Sequence, residues 1–122
     1  MKSSDAVRVG SGAGTSDDRM VPALELAERG DIDYLVFECL AERTVSRENL
    51  SRSKNPDQGY SPSLHARLRM VLPACIKNGI RIVSNMGAAN LFGGGITVSL
   101  AQDIHGKSYS NVMLAIELPD PK

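Results

Sequence analysis

Three short apolar runs, set apart by stretches of helical length, constrain the fold of this chain more than any other feature. Residues 6–9 (Ala-Val-Arg-Val), 34–37 (Tyr-Leu-Val-Phe) and 80–83 (Ile-Arg-Ile-Val) have strand length and are rich in β-branched or aromatic side chains. The unbroken apolar run at 34–37 has the look of a parallel strand buried on both faces. After the first run, Ser16, Asp17 and Asp18 are N-cap residue types, and Pro22 fits a first helical turn. Val21, Leu24 and Ala27, widened by Leu26, give that helix an apolar face, and Gly30 ends it. The second run leads into a helix over 41–50 and a polar loop over 51–60. Ser61-Pro62 starts a third helix, with Leu64, Leu68, Val71, Leu72 and Cys75 at helical spacing, a kink or restart at Pro73, and Gly79 at its end. Crossovers of this length require parallel strands.

The fold class read from this order is α/β, with a parallel three-stranded β-α-β-α-β core, helices packed on it, and two short C-terminal strands. Those strands, at 96–100 and 112–118, follow a glycine hinge at 91–95. With no helix between them they read as an antiparallel pair or a piece of another domain. The expected organisation is an α/β unit over 1–90 and a hinge with its two-stranded tail over 91–122.

Composition narrows the function classes. The 122 residues suit one domain, and fourteen basic side chains balance fourteen acidic ones. With no basic stripe and no Trp, a nucleic-acid partner is not expected. No apolar run approaches the roughly 20 residues that span a bilayer. The first five residues lack the apolar stretch of a signal peptide, so the expected setting is the cytoplasm, with no membrane partner. Cys39 and Cys75 have no second Cys or His at ligand spacing, so no metal site is expected. Both read as core residues, with a reactive thiol at Cys39 as the alternative.

If the strands run parallel, the segments after each converge on one edge, where open α/β sheets bind ligands. The first segment is Gly10-Ser11-Gly12-Ala13-Gly14, read as a loop whose N–H groups, with the hydroxyls of Ser11, Thr15 and Ser16 and the cation of Arg19, suit an anion. The other reading is a tight turn without a ligand. The spacing matches neither the dinucleotide fingerprint nor the Walker loop, and Asp17 and Asp18 bring negative charge to the same place. Glu38, at the end of the second run, suits a ribose contact or a general base. Equally, it could cap a helix or pair with Arg19 or Arg43. Asn85, Gly87 and Asn90 suit a polar ligand or a plain turn. Glu38 and Asn85 are the candidate catalytic residues. His65 and His105 have no visible partner and read as surface residues.

Several stretches together resemble a known family. Residues 7–14, Asp18-Arg19, the block 27–44 (Ala-Glu-Arg-Gly-Asp-Ile-Asp-Tyr-Leu-Val-Phe-Glu-Cys-Leu-Ala-Glu-Arg-Thr) and 85–90 (Asn-Met-Gly-Ala-Ala-Asn) are similar to the N-terminal region of the acyclic terpene utilisation family. Pro56, Gly59-Tyr60 and 72–75 fall in its intervening part. The resemblance implies a bacterial-type cytosolic protein tied to breakdown of branched terpenoids of the citronellol and geraniol type, near their acyl-CoA stage. It also implies that the glycine segment, Glu38 and the 85–90 segment matter together, with a small anionic ligand or an acyl-CoA as partner. It names no cofactor and no certain catalytic residue. Asp17 stands where the family carries glycine. The tail from Asp103 to Pro119 is weakly similar to the end of an associated small domain. A shortened chain is therefore expected, the start of one domain joined to the end of another, which self-associates or joins a second chain through an exposed strand edge. The alternatives are a non-catalytic interaction subunit and a nucleotide-binding domain.

Overall fold

A computed structural model describes residues 5–90, Gly93 and 112–114. Its elements are β1 (Val9–Ala13), α1 (Val21–Arg29), β2 (Tyr34–Phe37), α2 (Glu42–Lys54), α3 (Leu64–Asn78), β3 (Arg81–Ser84) and β4 (Val112–Leu114). The sheet order is β1-β2-β3-β4, and every neighbouring pair is parallel. The expected α/β core with three parallel strands is present.

Strand order explains which side chains are buried. The chain adds strands in one direction, and right-handed crossovers made in one direction land on the same face. α1 packs on β1 and on α3, so these helices share a face. Inward residues Leu35, Phe37 and Ile82 join Ala23 and Ala27 of α1 and Leu64, Leu68, Val71, Leu72 and Cys75 of α3 in one core. The opposite face is less covered: Val9 is 62% exposed, and Tyr34, Val36 and Val83 are only half-buried. The run at 34–37 is therefore buried on alternate residues, not on both faces as its composition suggested.

β1 departs furthest from expectation. Residues 10–13 are strand, not loop. Gly10 and Gly12 point inward, where little room exists. A Cβ on Gly10 would stand 2.9 Å from Ile32 Cδ1, and one on Gly12 would stand 2.7 Å from the Phe37 ring. The register slips between Ser11 and Ala13, so Gly12 also sits at a bulge. These glycines serve close packing, with small Ala23 and Ala27 as the buried residues of the facing helix. Val21, expected on that inner face, is 56% exposed.

The ends of α1 also differ. Its N-cap is Met20, without a side-chain cap, because the Asp18 carboxylate bonds elsewhere. Gly30 ends the helix at φ −76°, not left-handed. Its Cβ would meet Leu26 O at 2.6 Å, and the left-handed residue is the next one, Asp31. Asp31 holds the Arg8 guanidinium. α2 extends to Lys54. α3 starts after Ser63 and continues through an exposed Pro73 without restarting. It closes at Gly79, φ 65°, as the sequence suggested. In the tail, β4 pairs in parallel with β3. The expected strand at 96–100 and the turn at His105 lie outside the described residues.

Candidate site at the carboxyl edge of the sheet

Parallel pairing carries the segments after β1, β2 and β3 to one edge, where backbone bonds stitch them together. Glu38 N–H donates to Ala13 O at 3.0 Å, and Asn85 N–H donates to Phe37 O at 3.3 Å. The side chain of Asn85, buried, then bridges the last two segments. Its Oδ1 accepts from Cys39 N–H at 2.8 Å, and its Nδ2 donates to Glu38 Oε1 at 2.7 Å. Leu40 N–H donates to the same Glu38 oxygen at 3.0 Å. The exposed Glu38 carboxylate is thus oriented by two donors. Among the described residues it forms an ion pair with neither Arg19 nor Arg43.

The glycine segment contributes differently. A hollow of about 230 Å³ brings together Ser11, Gly12, Gly14, Asp18 and Arg19. The N–H groups that should face an anion are already taken: Gly14 N–H and Thr15 N–H donate to Asp18 Oδ2 at 2.6 and 3.2 Å. The carboxylate of Asp18 thus accepts from two N–H groups of this segment. Those two bonds, chiefly the one from Gly14, hold its pKa below the usual 3.8, with help from the Arg67 charge. A folded pKa below the unfolded value means a stabilising contribution present above about pH 4, lost as pH falls through the lower folded value. Chemical denaturation between pH 5 and 2 is expected to show a steeper loss of stability for the native chain than for Asp18→Asn. Equal slopes would deny Asp18 this role.

Thr15 uses its hydroxyl to accept from Asp17 N–H, and the Ser16 carbonyl accepts from Arg67. Gly87 lies buried in the turn after β3, where its carbonyl accepts from Asn90 N–H. Asn90 turns inward: Nδ2 donates to Pro56 O and Gln58 O, and Oδ1 accepts from Gly93 N–H. Its amide pins the 55–60 loop, so both its ends are engaged within the chain.

Cys39 and Cys75 are buried, and burial pushes both thiols up to about 11. For Cys39 the nearby Arg67 charge opposes that rise, while Glu38 and Asp18 add to it. Both are thiols, not thiolates, at neutral pH.

The residue that sequence reasoning missed is Arg67. It is 2% exposed and projects from the buried face of α3. Nε donates to Ser63 Oγ at 3.1 Å, and Nη2 donates to Ser16 O at 3.2 Å and Asp18 O at 2.6 Å. Nη1 is enclosed and has no partner. The guanidinium ties α3 to the loop that follows β1. Its sequence signal was an arginine set inside the stripe Leu64, Leu68, Val71, Leu72, at a position that apolar side chains otherwise fill.

No described helix is long and apolar enough to cross a membrane, and among the described residues no three His, Cys, Asp or Glu side chains gather as a metal set. No curated protein and no solved structure matches the chain. The model of the acyclic terpene utilisation family protein AtuA matches residues 7–109, which spans all the elements up to β3 and runs past Asn90. That match takes in most of the sequence and every segment of the carboxyl edge just described, and the chain belongs to the acyclic terpene utilisation family.

Proposed function

We propose that this chain serves terpenoid utilisation by binding a branched acid or its acyl-CoA at the carboxyl edge of the sheet. The observation that carries the reading is the Asn85 bridge. One buried amide locks the ends of β2 and β3 together and holds the Glu38 carboxylate, exposed and oriented, at their rim. An oriented carboxylate at a strand end is placed to take a proton or to contact a polar ligand group. The nucleotide-binding alternative has less support. Dinucleotide folds bind where the strand order reverses, and among the described strands the order β1-β2-β3-β4 contains no reversal.

A second reading rests on a separate observation. Among the described strands β1 lies at an edge of the sheet; its outward residue Val9 is exposed, as is the neighbouring Val7. Such an edge can pair with a second chain, with or without chemistry at the rim. Thermal melting with branched acyl-CoAs, the free branched acids and nucleotides separates the readings. A rise in melting temperature with the acids or acyl-CoAs, reduced by Glu38→Gln, supports the first. No rise with any of them, together with a dimer on sizing that Val9→Lys disperses, supports the second.

A further inference from the structure

We propose that Arg67 is the anchor for the carboxylate of an acid ligand, with Nη1 as the donor. The proposal deepens the reading of the carboxyl edge as an acid-binding rim and rests on it. A guanidinium has five N–H donors. Three of the bonds they can form are made within the chain, to Ser63 Oγ, Ser16 O and Asp18 O, and all three acceptors are uncharged. The two N–H groups of Nη1 are shut away from solvent without an acceptor. Among the described residues no carboxylate lies within ion-pair distance of Arg67. A buried cation without a counter-ion or a full set of acceptors is strongly disfavoured. The same group supplied with an oxyanion gains both at once.

Charge selects which oxyanion. The Asp18 carboxylate already acts on Arg67 through space, Arg19 acts on Asp18, and Glu38 lies near enough to act on Cys39 together with Arg67 and Asp18, so the charges of the locality are already balanced. A monoanionic carboxylate adds a single charge. A phosphate dianion adds two to a balanced set in an enclosed place, and the low dielectric there opposes the second. Nη1 is enclosed, so a carboxylate reaches it when the 15–18 segment draws back. That segment belongs to no helix or strand, and its Thr15, Asp17 and Asp18 are exposed. The Nη2 bonds to Ser16 O and Asp18 O are the contacts that hold it against the guanidinium.

The test uses the full chain and three probes: isovalerate, the uncharged isovaleramide and inorganic phosphate. The side-chain Nε–H resonance of Arg67 is followed during titration, and affinities are measured for the native chain, Arg67→Lys and Asp18→Asn. Isovalerate is expected to move the Arg67 resonance saturably, while isovaleramide and phosphate leave it in place. Arg67→Lys, which keeps the charge and loses the fork, is expected to weaken isovalerate at least tenfold. Asp18→Asn, which removes the competing charge, is expected to tighten it several-fold. Isovalerate binding that leaves the Arg67 resonance unmoved overturns the anchor and leaves the acid-binding rim standing. Phosphate acting as well as isovalerate overturns the assignment to a carboxylate. Absence of binding by any acid overturns both the anchor and the rim. Should Arg67→Lys fail to fold, the resonance of the native chain decides.

Discussion

Replacing Gly12 by valine is expected to destabilise the fold severely, and to do so with no ligand present. The Cβ alone would stand 2.7 Å from Phe37 Cε1, and two more ring carbons lie at 3.0 and 3.1 Å. Phe37 is itself fully buried in the core, so the ring has no free space to enter. Overpacking of this kind costs about 1–3 kcal/mol when neighbours can shift, and the branched valine at a bulge stands at or above the upper end. The corresponding alanine variant is expected near the lower end. Urea denaturation of the native chain, Gly12→Ala and Gly12→Val tests this directly. A valine variant as stable as the native chain would show that Gly12 is not there for packing. The same geometry means that lost ligand binding in Gly12→Val is no evidence for an anion cradle, since a disrupted core removes every site at once.

The second large effect is expected at Asn85. Asn85→Leu conserves volume but leaves the buried Cys39 N–H without its acceptor and Glu38 without one of its donors. An unsatisfied buried N–H costs about 1–3 kcal/mol, and the misfit of leucine among polar groups adds to it, for a total on the order of 2–4 kcal/mol. Asn85→Asp separates structure from charge. Its carboxylate can still accept from Cys39 N–H, yet it faces the Glu38 carboxylate where the amide had donated at 2.7 Å. The aspartate variant is therefore expected to be least stable at neutral pH and to recover in mild acid, where one proton is shared across the pair. Denaturation of both variants at pH 7 and pH 5 checks this. A leucine variant of native stability would remove the bridge from the account.

These two positions also show how much was legible in advance. The strand at 34–37, the helix closed by Gly79 and the parallel order follow from local pattern, because period, turn chemistry and connection length act within a few residues. The convergence of Glu38 and Asn85 could be read the same way, since parallel strands must deliver their carboxyl ends to one edge. The role of Gly10 and Gly12 could not. A glycine that frees a loop and a glycine that admits a neighbour look alike in sequence. Only the positions of Ile32 and Phe37 tell them apart. Arg67 was hidden for a related reason: an arginine between Leu64 and Leu68 reads as the solvated edge of an apolar stripe until the partners of its guanidinium are seen.

The amino-acid sequence by itself determined the α/β class, the order of the core elements and the family, because each rests on patterns that are local in the chain. Tertiary structure alone decided three things: that the glycine segment is a packed strand, that Asp18 takes the Gly14 and Thr15 N–H groups, and that Nη1 of a buried guanidinium is left without a hydrogen-bond partner. The physical reason is distance along the chain. Gly12 meets Phe37, Asn85 meets Cys39, and Arg67 meets Asp18 across separations that no local pattern records.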